Sequence, residues 1–307
     1  MTARRRLIAI INPAAGAEGS DASATQRLTQ LFDAAGVDAR IVPVDDGAQL
    51  AAQARAAVRE RPDIIVAGGG DGTINAVAAE LVDTGIALGV LPLGTLNHFA
   101  KALRLPLDLE QAAHVLLAGH AIEVDVGEVN GRIFLNNSSL GLYPSLVRRR
   151  EAQQEQLGRG KWAAAAFAAL ALLRRHALLR VHLSLNGAEF ERRTALVFIG
   201  NNAYRMSGLR IGERERLDAG QLGLYLPHRK GRRGLLALAV RALFGCLREA
   251  RDFDALFAAS IRIDNHHARL PVAIDGEVEL MEAPLLYRSR PRALRVLVAP
   301  AHAREPA

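Results

Sequence analysis

The stretch Ile64-Ile65-Val66-Ala67-Gly68-Gly69-Gly70-Asp71-Gly72-Thr73-Ile74-Asn75-Ala76-Val77-Ala78-Ala79-Glu80-Leu81 constrains the fold more than any other. An apolar, β-branched run enters four glycines set around one aspartate. Ile74, Val77, Ala78 and Leu81 then recur at helical spacing. The pattern predicts strand, tight turn, helix. Glycine lets the backbone bend sharply and lets a ligand approach it closely. A helix start presents free N–H groups and the positive end of its dipole, so the turn suits a phosphate. No Lys follows, which excludes GxxxxGK[ST], and Thr73 stands where GxGxxG needs its third glycine. What is left is Gly-Gly-Asp-Gly-Thr. Its acid would repel a phosphate unless Mg²⁺ sits between them. The plainer reading is a βα turn with an Asp/Thr cap. Four glycines in five residues carry a large entropic cost for that role alone.

The surrounding residues repeat the alternation. Residues 7–11, 40–44, 64–67 and 86–91 read as strands, and 21–35, 49–60, 98–103 and 108–118 as helices. Strands alternating with helices of this length predict βαβ units and a parallel sheet. Three strand ends carry turn chemistry: Asn12-Pro13-Ala14-Ala15-Gly16, the glycine cluster, and Pro92-Leu93-Gly94-Thr95-Leu96-Asn97. Ligands of open α/β sheets bind at such carboxyl ends.

The pattern changes near Asp125. Asn130-Gly131, Asn186-Gly187 and Asp275-Gly276 each sit between short apolar runs: 124–129 with 132–136, 181–185 with 190–199, and 272–274 with 277–280. These dipeptides are strong hairpin signals, so the second half is expected to be mainly antiparallel, a sandwich or barrel. The expected domains are 1–124, with 291–303 rejoining it, and 125–290.

Composition narrows the function. The chain has 307 residues, half of them hydrophobic, and one cysteine, Cys246, so no disulfide framework forms. The apolar run after Arg4-Arg5-Arg6 is too short for a signal peptide, and no run reaches the roughly 18 residues of a spanning helix. A cytoplasmic location follows as the expectation. The net charge of +7 favours an anionic partner. Only 5% of residues are aromatic and no zinc spacing occurs, which disfavours nucleic acid. Two apolar stretches, 162–173 and 235–247, are flanked by Arg159, Lys161, Arg174 and Arg175 and by Arg229, Lys230, Arg232 and Arg233. Such helices suit an anionic membrane surface, and equally a helix packed over a sheet with solvated basic ends. His266-His267 would point apart on a strand, and an exposed loop is the expected setting. Ser138-Ser139 lacks a nucleophile-elbow context.

Asn12-Pro13-x-x-Gly16, Gly69-Gly70-Asp71-Gly72-Thr73-x-Asn75, Pro92-x-Gly94-Thr95-x-Asn97 and Asp275-Gly276-Glu277 occur in that order. Together they resemble the diacylglycerol kinase catalytic-domain family, which includes bacterial lipid kinases and the sphingosine and ceramide kinases. Gly-Gly-Asp-Gly alone is shared with NAD kinases and phosphofructokinase-like enzymes. The resemblance implies an N-terminal α/β domain and a C-terminal β-sandwich with ATP in the cleft between them. By position it gives Asn12, Pro13 and Gly16 to the first nucleotide loop. Gly69, Gly70, Gly72, Thr73 and Asn75 hold the phosphates, with Asp71 handling Mg²⁺. Gly94 and Thr95 close the site, and Asn97 and Lys101 lie beside it. Lys101 would neutralise phosphate charge; on the residues alone it reads as a helix-face lysine. Phosphoryl transfer to an alcohol needs a carboxylate near the acceptor, and the resemblance gives that role to Asp275 or Glu277, with both left open. Asp125 is carried over as a junction acid and metal candidate. Asp218 is carried over as a structural Mg²⁺ ligand, with a plain Asp/Gly turn an equal reading because Ala219 stands where a second acid is frequent. Ala17 and His98 also depart from the family pattern, which has a Lys and an Asp there.

The expectation is an ATP- and Mg²⁺-dependent lipid kinase, peripheral at the inner membrane face, with the lipid and the oligomeric state left open. A kinase of a soluble acceptor, such as NAD or a sugar phosphate, and a nucleotide-binding sensor without catalysis are the rivals.

Overall fold

The computed structural model describes residues 5–13, 21–44, 46–141, 178–205, 213–227 and 252–300. Gly16, Ala17, Cys246, the apolar stretches 162–173 and 235–247 and the tail 304–307 lie outside the described residues. The chain divides into two compact units, Met1–Val126 with Arg292–Ala307, and Gly127–Pro291. The first is α/β with a parallel sheet; the second is a mainly antiparallel β-sandwich.

In chain order, the first unit runs β1 (Arg6–Ile11), α1 (Asp21–Ala34), β2 (Asp38–Pro43), α2 (Gly47–Arg59), β3 (Ile64–Gly69), α3 (Asp71–Leu81), β4 (Ala87–Pro92), α4 (His98–Ala102) and α5 (Leu109–Ala118), then enters β5 (His120–Val129). Strands pair in parallel in the order β2-β1-β3-β4. Every residue of β3 and β4 is buried. That is why these strands are apolar throughout rather than alternating: helices cover both faces of a parallel sheet. Leu28 and Phe32 of α1 and Ala112, Ala113 and Leu116 of α5 share a core with Leu7, Ala9, Ile64 and Val66. α3 buries Ile74, Val77, Ala78 and Leu81, the four residues picked out by helical spacing. Arg55 of α2 binds Glu80 of α3 through two bonds, of 2.8 and 3.0 Å. Asp46 and Asp108 cap α2 and α5 by accepting from Ala48 N–H and Gln111 N–H.

The second unit holds β6 (Arg132–Phe134), β7 (Asn137–Gly141), β8 (Leu179–Leu185), β9 (Ala188–Thr194), β10 (Leu196–Asn201), β11 (Tyr204–Arg205), β12 (Glu213–Arg214), β13 (Leu222–Pro227), β14 (Phe253–Ala258), β15 (Ser260–Asp264), β16 (Arg269–Ile274) and β17 (Glu277–Glu282). Strand β18 (Leu285–Val298) starts here and returns the chain to the first unit, where Arg295 and Val296 pair in parallel with Ala87 and Leu88. One layer runs β14-β13-β10-β7-β16-β17; the other contains β18-β15-β8-β9. Their inward side chains, including Phe134, Leu140, Val197, Ile199, Leu224, Ile261, Ile263 and Tyr287, form one core. All three Asx-Gly turns have positive φ at both residues: 45° and 85° at Asn130-Gly131, 51° and 76° at Asn186-Gly187, 44° and 96° at Asp275-Gly276. Two successive positive φ values match the twist of the flanking strands.

One local expectation differs from the structure. Residues 190–199 are not one strand. The chain breaks at Ala195 and passes from β9 in one layer to β10 in the other. Thr194 Oγ makes the corner, accepting from Leu196 N–H at 3.3 Å and donating to Leu196 O at 2.8 Å. His266 and His267 sit in an exposed bend, as expected, with ring centroids 3.9 Å apart; a bend, unlike a strand, can turn neighbouring side chains to one side.

Gly127 has no room for a side chain: a Cβ there would lie 2.2 Å from the Phe134 ring. Gly127→Ala should therefore destabilise the protein by about 1–3 kcal/mol through overpacking, read as a lower urea midpoint. An unchanged midpoint would show that the Phe134 ring moves aside freely.

Candidate active site

In the first unit, three loops leave the carboxyl ends of adjacent strands β1, β3 and β4. Asn12 follows β1, and its N–H donates to Gly68 O at 2.8 Å, tying that end to β3; Asn12 and Pro13 are half-buried. After β3, Gly70 is the N-cap of α3 and supplies no side chain. The helical ladder begins with Ile74 N–H donating to Gly70 O at 3.0 Å, so the amides of Asp71, Gly72 and Thr73 precede it. Thr73 is buried and lies against Gly69, where a Cβ would come 2.5 Å from its Oγ. Asn75, half-buried on the next turn, has polar partners of its own. Gly94, after β4, meets Gly70 backbone to backbone: a Cβ on Gly94 would be 2.5 Å from Gly70 Cα.

Asp71 does not cap its own helix. Its Oδ2 accepts from His98 N–H at 3.1 Å and its Oδ1 from Phe99 N–H at 3.2 Å, so it caps the start of α4. Asn97 bridges the same loop from a left-handed backbone (φ 51°), donating from Nδ2 to Gly94 O at 2.7 Å and Pro92 O at 3.4 Å. Its Oδ1 is buried and has no partner. Thr95, His98 and Lys101 are exposed beside it.

These residues fit a phosphate-bearing nucleotide. The donor set is backbone N–H at an uncapped helix start, Gly70 and Gly94 leave the approach free of side chains, and Asn97 Oδ1 is an acceptor awaiting a donor. Each Asp71 oxygen holds one amide and keeps lone-pair capacity for a hydrated Mg²⁺ bound mainly through phosphates. A separate metal site fits less well. Asp125 is 1% exposed and its Oδ1 accepts from Arg292 N–H at 2.8 Å. Asp218 spends both oxygens on Arg216, at 3.1 and 3.4 Å. Among the described residues, no three His, Cys, Asp or Glu side chains gather in a group that could hold a metal ion.

In the second unit, the Asp275-Gly276-Glu277 hairpin separates its two acids. The Asp275 carboxylate is enclosed: Oδ2 accepts from Leu135 N–H at 2.7 Å, and Oδ1 accepts from Asn136 and Asn137 N–H, both at 2.9 Å. Burial pushes its pKa from 3.8 up to about 6, against the opposing pull of the three amides and of the Arg214 guanidinium. Glu277 is exposed at the start of β17. Around Asp275 lies a polar belt that the sequence reading missed: Asn136, Asn201 and Arg214 are each at most 8% exposed. Arg214 Nη1 donates to Leu135 O at 2.7 Å, and Nη2 to Asn136 Oδ1 at 2.8 Å. The paired asparagines Asn136-Asn137 and Asn201-Asn202, set at strand ends among apolar residues, are the available sequence signal. Arg214 has none, because Glu213-Arg214-Glu215-Arg216 reads as a solvated run.

Because the folded pKa of Asp275 lies above its ordinary value, its titration supports the fold fully below pH 3.8. That support is lost as pH rises through about 6. The stability of the wild type relative to Asp275→Asn should thus fall by roughly 2 kcal/mol between pH 4 and 7. Urea unfolding of both proteins across that range measures it, and a constant difference would contradict the shift.

Residues 6–129 match the family described as Diacylglycerol kinase catalytic domain. Residues 143–298 match the YegS C-terminal NAD kinase beta sandwich-like domain. Diacylglycerol kinases of Staphylococcus aureus, strains bovine RF122 / ET3-1 and MRSA252, are each 34% identical over 140 residues, 45% of this chain. That match spans 44% of each relative, less than half its length. A diacylglycerol kinase structure from Bacillus anthracis strain Sterne has 20% identity and a TM-score of 0.73, covering 98% of this chain and 99% of its own. Another Bacillus anthracis structure gives 22% and 0.75, covering 98% of each chain. The structures establish likeness of fold, and the family matches cover both halves in sequence order: residues 6–129 belong to the diacylglycerol kinase catalytic-domain family and residues 143–298 to the YegS C-terminal NAD kinase beta sandwich-like family.

Proposed function

We propose that this protein is an ATP- and Mg²⁺-dependent lipid kinase that phosphorylates a hydroxyl of a lipid such as diacylglycerol. The observation that carries the reading is the close Gly70–Gly94 backbone contact at the start of α3, whose N-cap glycine supplies no capping side chain, an arrangement that suits a phosphate. Backbone at Asn12–Pro13, the Gly69–Asn75 turn and Gly94–Thr95 holds the nucleotide; Asn97 braces the Gly94 loop beside it, and Lys101 neutralises phosphate charge. Mg²⁺, when bound with the phosphates, supplies stabilisation of charge on the transferring group.

Glu277 takes the proton of the acceptor hydroxyl. Its exposure leaves it free to do so, whereas the oxygens of Asp275 are held by three amides. As the hydroxyl oxygen bonds to the terminal phosphorus, the bond from that phosphorus to the ADP oxygen breaks, and the hydroxyl proton passes to Glu277. Asp275 holds the hairpin. Asp125 and Asp218 have structural partners and no part in this reading. Among the described residues, no helix is long and apolar enough to cross a membrane, and a lipid acceptor calls for peripheral contact with the cytoplasmic membrane face.

Purified protein with Mg-ATP should transfer labelled phosphate to at least one of diacylglycerol, phosphatidylglycerol, a sphingoid base or ceramide. Transfer to none of them, with transfer to a soluble acceptor instead, would sink the lipid reading. Glu277→Gln should lower kcat by about 10²–10⁴ and leave ATP affinity unchanged; wild-type turnover in this variant would remove Glu277 from the chemistry. Gly94→Ala should weaken ATP binding by about tenfold or more, because backbone facing backbone has no slack, measured calorimetrically with a non-hydrolysable analogue.

A further inference from the structure

One buried charge in the second unit has no part in the chemistry proposed above. Arg214, in β12, is 8% exposed, and its Cζ lies 5.4 Å from the centre of the Tyr204 ring. Its guanidinium reaches three acceptors: Leu135 O at 2.7 Å, Asn201 O at 3.2 Å and Asn136 Oδ1 at 2.8 Å. The segment 135–137 between β6 and β7 is therefore gripped twice. Arg214 takes its carbonyl side, and Asp275 takes its amide side.

One peptide unit carries both grips. The carbonyl of Leu135 and the N–H of Asn136 belong to the same amide group. A cation on that oxygen polarises the group and strengthens the N–H as a donor to Asp275. The chain Arg214···O=C–N–H···Asp275 thus links two opposite charges through a conjugated bridge. Arg214 is a charged side chain that acts electrostatically on Asp275; Glu277, two residues on, is exposed. A lysine could not reproduce the arrangement, because one ammonium on a flexible stem lacks the planar fork that meets separate acceptors together.

We infer that Arg214 is the positioning residue of the Asp275-Gly276-Glu277 hairpin: it sets the 135–137 amides that hold Asp275, and through them the place of Glu277. The last step rests on the kinase reading; the coupling of Arg214 to Asp275 does not.

The test uses Arg214→Lys and Arg214→Gln in the full chain, with two readouts. The first is the titration midpoint of the Asp275 carboxyl, followed by carbon-13 NMR. The second is kcat and the ATP KM for transfer to diacylglycerol in mixed micelles. Arg214→Gln should move the midpoint up by about one pH unit or more. Arg214→Lys should lower kcat by at least about tenfold, with KM within about twofold of wild type. Asn136→Ala, which keeps the backbone bonds but removes one of the three acceptors, should show both changes at smaller size even if the Arg214 variants fail to fold. An unmoved midpoint together with wild-type kcat in any folded variant overturns the inference. If the wild type transfers phosphate to no lipid, the kinase reading fails by itself, and the titration still decides whether Arg214 governs Asp275.

Discussion

A backbone N–H at the start of a helix or strand needs an acceptor, and in each unit of this protein a carboxylate distant in sequence provides it. Asp71 takes the amides of His98 and Phe99, and Asp275 takes those of Leu135, Asn136 and Asn137. The consequence is the same in both places. A loop that leaves one strand end is fixed to a loop that leaves another. Charge-assisted bonds of this kind are shorter and stronger than those between neutral groups. They define the position of the glycine-rich turn and of the hairpin before any ligand arrives, and preorganisation of that sort is what phosphoryl transfer demands of a protein.

The two acids of the Asp275-Gly276-Glu277 hairpin differ in what reaches their oxygens. Asp275 holds three amides, one on Oδ2 and two on Oδ1. Two residues along the hairpin, Glu277 stands exposed. The left-handed φ values at Asp275 and Gly276 make this possible, since the tight turn lets one acid point back at the 135–137 segment while the next begins β17. The α3 turn follows the same logic with glycine. Gly69 makes room for Thr73 and Gly94 for Gly70, and the N-cap glycine of α3 puts no capping side chain over the helix start.

Much of this was legible in the sequence because it depends on local rules. The buried strands show as unbroken apolar runs, α3 as four apolar residues at helical spacing, and the three hairpins as Asx-Gly pairs. Other parts were not legible. The break at Ala195 depends on which layer each half-strand joins, and apolar alternation continues across it. The burial of Arg214 was hidden inside a run of alternating charge, where three residues of the four are indeed exposed. Nor could the sequence choose between Asp275 and Glu277, because both carboxylates flank one glycine and only their partners differ.

The sequence by itself determined the order of the elements, the glycine positions at the strand ends and membership in the family, since each is written in spacing over a few residues. Tertiary structure decided what the acids do. Asp71 caps α4, Asp125 secures Arg292, Asp218 pairs with Arg216, and Asp275 closes an amide nest against a buried arginine. The physical reason is that a carboxylate's role is set by the donors that reach its oxygens. Those donors come from segments as many as 167 positions away along the chain, a distance over which spacing carries no information.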